Sequence, residues 1–329
     1  MQPDTVLAAV RRFAPGADSV VQLVRLSGGA SQETWSIVVG IDGSSQRLIL
    51  RRAPAHEPVS GKISPEDEAA VVRAAQRAGV PSPQVLYVLA PDDGLGRGYV
   101  MTHVQGEALG RKIVRDEAFA GVRPTLARRA GEVLARIHAI DLAGLPLVPS
   151  LPRTSPAQLI AKLFDDYRRC SAPRPVFELA FRWLSERMPP AHAKPHLVHG
   201  DFRNGNLLVT PDGIAAVLDW ELVHVGDPML DLGWLCTGAW RYSVIDKPVG
   251  GFGERAELVA GYESAGGARV EPQVLQFWET LGSLRWGVMC VTMGASAGQS
   301  DRAVEMAMIA RRTSENEIDL LRLLAPRGN

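Results

Sequence analysis

Residues 197 to 220, LVHGDFRNGNLLVTPDGIAAVLDW, constrain this chain more than any other stretch. A polar octet, HGDFRNGN, separates the apolar pair Leu197 and Val198 from the strand-like run Leu207, Leu208, Val209. A Pro-Asp-Gly turn then joins that run to a second apolar segment, which predicts a β-hairpin. Placing Val209 opposite Ile214 sets Asn206 opposite Val217, and period-two alternation turns Asn206, Val217 and Asp219 to one face. An amide oxygen and a carboxylate then meet at the open end of the hairpin, with Asp201 in the loop just before it. Hard oxygen ligands in small number suit Mg²⁺, which takes its remaining ligands from water and phosphates. The alternative is a well-hydrogen-bonded connection, since Asp, Asn and Gly are common turn residues.

The hairpin stands out because its surroundings read as helices. The segment 125 to 140, TLARRAGEVLARIHAI, sets Leu126, Ala130, Val133, Leu134 and Ile137 on one helical face. Residues 156 to 169, 175 to 188, 255 to 265, 272 to 293 and 301 to 324 carry further helical patterns. Before residue 105 the pattern is different. Residues 20 to 26, 35 to 41 and 46 to 51 read as an antiparallel meander, with turns at 27 to 31 and 42 to 45. A helix follows, with Ser64 as N-cap, Pro65 in its first turn and Gly79 as its stop. Two more strands lie near 84 to 90 and 96 to 104. The expected fold class is therefore α+β with two lobes: residues 1 to 104 form an antiparallel sheet with one helix, and residues 105 to 329 form a mainly helical lobe carrying the hairpin.

Charge and composition exclude several classes. The 329 residues are 46% hydrophobic and 22% charged, as in an ordinary globular protein. Lys plus Arg and Asp plus Glu both total 36, so no net charge draws the chain to nucleic acid or to an acidic membrane. Any phosphate chemistry must be local. Three scattered cysteines suit reduced thiols and a cytoplasmic location. No export signal or run of 18 uncharged apolar residues is apparent, and no membrane partner is expected.

In order, HGDFRNGN, LDW and GDPMLDLGW, preceded by LSGGASQETW, LILRR, the helix containing Glu68, and YVMTHVQGE, resemble the aminoglycoside phosphotransferase-like and choline kinase-like branch of the protein-kinase-like fold. The resemblance covers most of the first 240 residues. It implies an ATP-dependent small-molecule kinase. Asp201 would take the proton of the acceptor hydroxyl, and Asn206 and Asp219 would hold Mg²⁺. His199 would orient the loop, and Arg203 would touch the transferring phosphate with a two-pronged guanidinium contact. Asp231 would hold the loop through backbone amides.

In the first lobe, Gly28, Gly29 and Ser31 resemble the loop that covers the ATP phosphates. Pleating puts Arg47, Ile49 and Arg51 on one face of the third strand. Arg51 then occupies the family's nucleotide-binding lysine position, Glu68 is its partner, and Ile49 lies against the adenine. Arginine there departs from the kinase pattern, because its fork reaches differently from an ammonium. Met101, Thr102, His103 and Val104 form the connection whose backbone would bind adenine, with a hinge at about 101 to 105.

Only residues 220 to 230 separate Asp219 from Asp231, too few for an activation segment that cradles a protein. The expected partner besides nucleotide is thus a small hydroxyl-bearing substrate. A polycationic aminoglycoside needs clustered carboxylates, whereas Trp234, Trp240, Trp278 and Trp286 could line an apolar acceptor pocket, so a hydroxylated or hydroxyacyl metabolite fits better. Two rivals remain: a nucleotide-binding scaffold with little turnover, motivated by Arg51, and a zinc hydrolase using His192, His196, His199 and His224.

Overall fold

The structure is a computed structural model describing residues 1–26, 32–53, 61–145, 147–170, 173–190, 192, 194–296 and 303–325. It opens with α1 (Pro3–Arg11), followed by the meander β1 (Ala17–Arg25), β2 (Glu33–Ile41) and β3 (Ser44–Arg52). The turn between β2 and β3 is only Asp42-Gly43, both at positive φ (48° and 77°), because Ser44 and Ser45 already pair with β2. That is the geometry a two-residue hairpin with right-handed twist requires. After α2 (Pro65–Arg77), β4 (Val85–Val88) and β5 (Gly98–Thr102) complete an antiparallel sheet in the order β1-β2-β3-β5-β4. Ser64 caps α2 by accepting the Asp67 N–H at 3.1 Å, and Gly79 ends it at φ 75°.

The two faces of this sheet have different partners. Leu48, Leu50, Ile37, Val39 and Val100 pack with Val6, Ala9 and Val10 of α1, a helix the sequence reading did not assign. Ile49, Tyr99 and Met101 belong instead to the large core shared with α2 and the second lobe. The pleat therefore aims Ile49 and Arg51 toward the space between the lobes, as expected.

The second lobe comprises α3 (Gly110–Arg115), α4 (Leu126–His138), α5 (Pro156–Arg168), α6 (Pro175–Glu186), β6 (His196–Val198), β7 (Leu207–Thr210), β8 (Gly213–Val217), β9 (His224–Gly226), α7 (Met229–Cys236), α8 (Arg255–Ser264), α9 (Pro272–Ser296), α10 (Ala303–Ala310) and α11 (Thr313–Leu324). The expected apolar face of α4 is buried throughout. Gly131 lets α4 approach α8 closely, since a Cβ there would stand 2.1 Å from the Leu258 carbonyl oxygen. The helix expected over 301 to 324 is instead two helices. The Thr313 hydroxyl donates to the Ala310 carbonyl at 2.7 Å, satisfying the end of α10 and letting α11 start afresh.

Two corrections concern the hairpin region. β7 and β8 pair with Val209 opposite Ile214, but an irregularity between Leu208 and Val209 shifts the rest by one residue. Asn206 consequently faces Leu218, whose N–H it accepts at 2.8 Å, and not Val217. A second antiparallel pair, β6 with β9, also brackets the polar octet. Its three-residue strands were too short to register as a pattern.

Backbone bonds tie the lobes together at this point. Ile63 N–H donates to Glu221 O (3.0 Å) and Val217 N–H to Pro81 O (2.8 Å), while within the second lobe Glu107 exchanges two bonds with Val209 (2.9 Å each).

Candidate active site

The polar octet is held from behind by Asp231. This fully buried carboxylate accepts the N–H groups of His199 (2.8 Å) and Gly200 (2.9 Å) and meets His138 Nε2 at 3.1 Å. Burial opposes its charge, but His138 and the amides outweigh that and hold the carboxyl below its ordinary range. Gly200 sits at φ 81° with no room for a Cβ, which would lie 2.4 Å from Leu222 O. His199 Nδ1 accepts the Asp201 N–H (3.2 Å), so its Nε2–H donates to Leu218 O (3.1 Å). Burial lowers its pKa, in keeping with a neutral ring that orients the loop.

Asp201 stands at the front of the loop. Its carboxylate accepts from Trp234 Nε1–H (2.7 Å) and from the Asn206 amide (2.7 Å), and Arg203 Nε reaches both oxygens at 3.1 and 3.2 Å. Behind it runs a stack of cations and rings. Arg203 lies 4.5 Å over Trp240, Trp240 packs 5.1 Å from Trp234, and Arg285 lies 4.6 Å over Trp234. Sequence reasoning placed Trp234 as a pocket wall and missed its hydrogen bond, because nothing in the order of residues signals a contact across 33 positions. Trp234→Phe keeps the ring and removes the N–H. Charge-assisted bonds of this kind are worth enough that turnover should fall about tenfold. Steady-state kinetics should show the loss in kcat, with the nucleotide KM unchanged. An unchanged kcat would remove Trp234 from the positioning of Asp201.

A second cluster lies where the lobes meet. The Arg51 guanidinium is 2.9 Å from Asp219, 3.3 Å from Glu68 and 4.0 Å from Glu221. Glu68 is fully buried and also accepts from Gln32 Nε2 (2.8 Å) and the Trp220 N–H (3.3 Å). Burial disfavours every charge here. For Arg51, the neighbouring Glu68 and Asp219 win and strengthen its hold on the proton. For Glu68, burial wins and raises its carboxyl. Asp219 departs from the strand path at φ 66°, and its carboxyl is lowered because Arg51 outweighs burial. Gln32, Glu221 and Lys62, which bonds Glu221 at 2.7 Å, complete the cluster and were not anticipated.

Of the expected adenine-side residues, Ile49 pairs directly with Met101 across β3 and β5, and both are buried. The Thr102 N–H is taken by Gln84 O at 2.9 Å, while His103 and Val104 are half-buried beyond the strand end. Gly28, Gly29 and Ser31 lie outside the described residues. Asp201, Arg203, His199 and Asn206 thus form one contact group, and Arg51, Glu68 and Asp219 another. Leu218 links the two, bonded to His199 and Asn206 and adjacent to Asp219 in the chain.

Beside Trp234 opens a cavity of about 410 Å³ lined by Leu159, Leu163, Trp278, Leu281 and Met289, with Gly200 and Arg285 also in its wall. Among the described residues no group of three His, Cys, Asp or Glu side chains is placed to hold a metal. The histidines of the zinc reading are each engaged elsewhere: His192 faces Asp227 at 3.4 Å, His196 bonds His138 O, and His224 bonds Leu222 O.

Comparison with known proteins places the fold and the family. Among the described residues no helix is long and apolar enough to cross a membrane. The chain is 34% identical over 233 residues to acyl-CoA dehydrogenase family member 11 of Gallus gallus, a match covering 67% of this chain and 28% of that protein. It is 29% identical over 229 residues to family member 10 of Mus musculus, covering 66% and 20%. The chain thus spans less than a third of the length of the curated relatives it matches. Among solved structures, a Ralstonia eutropha protein provisionally described as an aminoglycoside phosphotransferase superposes with a TM-score of 0.74 at 21% identity, covering 97% of this chain and 98% of that one. A spectinomycin phosphotransferase in complex with ADP and spectinomycin gives 0.63 at 13% identity, covering 97% of each. The profile described as the phosphotransferase enzyme family matches residues 22–272, and the chain belongs to that family, with its two-lobed protein-kinase-like α+β fold.

Proposed function

We propose that this chain is an ATP-dependent kinase that transfers the γ-phosphoryl group to a hydroxyl of a small molecule. The observation that carries the reading is the placement of two carboxylates. Asp201 borders the apolar cavity through Trp234, and Asp219 faces Arg51 of the sheet lobe. One is suited to an acceptor and the other to a nucleotide. Asp201 receives the acceptor proton as the hydroxyl attacks, and Arg203, bonded to that carboxylate, steadies the phosphoryl oxygens with its remaining donors. His199 keeps the loop in register.

Asn206 and Asp219 fit Mg²⁺. With the amide nitrogen of Asn206 committed to Asp201, its oxygen is left as a hard neutral donor that complements the Asp219 carboxylate in charge. The ion, when bound, neutralises charge on the nucleotide phosphates. Arg51, fixed by Glu68, holds those phosphates together with the loop of Gly28, Gly29 and Ser31. Adenine lies against Ile49 and the connection 101 to 104, which divides the chain into lobes 1 to 104 and 105 to 329. Free cysteines support a reducing, cytoplasmic setting.

For the acceptor, the cavity favours an apolar body. No carboxylate pairs with Arg285 among the described residues, and Asp166 at the rim already binds Lys162 at 2.8 Å. A polycationic antibiotic would meet two cations there and little to balance its own charge. A hydroxylated or hydroxyacyl metabolite suits these walls, and the names of the longer relatives support an acyl portion.

A second reading, a nucleotide-binding scaffold with little turnover, rests on Arg51 occupying Asp219. An acceptor screen with Mg-ATP, reading ADP release from antibiotics and hydroxyacyl compounds in parallel, separates the two. The kinase reading expects acceptor-dependent ADP with the hydroxyacyl group. Nucleotide binding with no acceptor-dependent ADP anywhere supports the scaffold.

A further inference from the structure

A cavity of about 490 Å³ lies away from the apolar pocket, between α3, the turn at 238 to 243 and α11. Arg111, Arg115, Arg241, Arg312 and Arg322 line it. In a chain with no net charge, five guanidiniums around one cavity are a local feature that repulsion works against. Carboxylates neutralise only part of the set. Arg241 is paired with Glu279 (2.7 Å) and Arg312 with Glu315 (3.0 Å). Arg322 has only a loose contact with Asp319 at 3.7 Å. Arg115 donates to a backbone carbonyl, that of Tyr242 (3.1 Å), and Arg111 has no partner among the described residues. Exposed Arg111, Arg115 and Arg322 therefore bring unused paired donors to one space.

The backbone in the wall of the cavity is also unusual. Tyr242 and Ser243 both adopt positive φ (49° and 70°), a conformation that costs side-chain-bearing residues free energy and that clusters at ligand sites. This turn also touches the catalytic loop, because the Tyr242 hydroxyl donates to Asn204 O at 3.1 Å.

We infer that this cavity binds a phosphate-bearing anion through the planar forks of Arg111, Arg115 and Arg322. Paired N–H donors match phosphate oxygens, and the partial exposure of the cavity admits a charged group that stays hydrated on one side. The anion is either a phosphorylated end of the acceptor or a separate phosphorylated effector sensed by the catalytic loop through Tyr242.

The test is calorimetric titration of the intact protein with inorganic pyrophosphate in magnesium-free buffer at low ionic strength. One saturable site is expected, weakening as salt is added. Arg111→Ala and Arg322→Ala, both at exposed positions, should each lower its affinity about tenfold and leave ADP affinity and melting temperature unchanged. Arg111→Lys, which restores charge without the fork, should recover only part of the loss. Absence of a saturable site, or unchanged pyrophosphate affinity in the Arg111→Ala/Arg322→Ala double variant, overturns the inference, the latter by placing the anion at the nucleotide site. With an acceptor in hand, competition between pyrophosphate and that acceptor identifies the anion as part of the acceptor, and a rate change without competition identifies an effector. Binding is read without turnover, so this inference and the kinase reading fail separately.

Discussion

Asp201→Asn is expected to reduce acceptor-dependent ADP release by about three orders of magnitude while leaving Mg-ATP affinity within about twofold. The amide has nearly the shape of the carboxylate, so the loop held by Asp231 and His199 should survive. What is lost is the capacity to take a proton as the acceptor hydroxyl attacks. The amide must also turn its NH₂ toward at least one of the donors of Trp234, Arg203 and Asn206 that now surround the carboxylate. Steady-state assays of ADP release, paired with nucleotide titration, separate the two effects. A variant that keeps more than a tenth of its rate would assign the base elsewhere.

Asp219→Ala should abolish the magnesium dependence of nucleotide binding, an effect read by titrating ATP with and without Mg²⁺. The same variant has a measurable consequence for stability. The Asp219 carboxyl is held below its ordinary range, burial opposing and Arg51 outweighing it. A depressed carboxyl contributes stability above its unfolded-state pKa and loses it as pH falls through the folded value. Replacing Asp219 therefore lowers the melting temperature at neutral pH and has a smaller effect under acid conditions. Equal loss at both pH values would mean that the Arg51 pair contributes nothing to stability, and unchanged Mg-ATP affinity would take Asp219 out of the metal site.

Much of this arrangement was legible in the order of residues because it is local. The cap at Ser64, the Pro-Asp-Gly hairpin, the pleat that separates Ile49 and Arg51 from Leu48 and Leu50, and the stripe on α4 all depend on residues a few positions apart. The register of the hairpin failed at one residue, since an irregularity between Leu208 and Val209 is a backbone choice that alternation does not encode. α1 was missed because its apolar face has meaning only against the outer side of the sheet. Helices α10 and α11 were merged because only Arg311 and Arg312 separate them, and neither residue is a helix breaker.

By itself, the sequence determined the two-lobed α+β pattern and the hairpin beside the polar octet, whereas the pairing of Arg51 with Glu68 was what the family resemblance implied and is seen in the structure at 3.3 Å. Only the tertiary structure decided that Trp234 grips Asp201, that Arg285 lines a mostly apolar cavity with no carboxylate paired to it among the described residues, and that five arginines from α3, the turn at 238 to 243 and α11 with its N-cap line one space. Periodicity and capping act over a turn or a strand, where chain geometry alone brings residues together. Hydrogen bonds and charge clusters between residues far apart in the chain exist only once packing of the helices has brought them within a few ångströms.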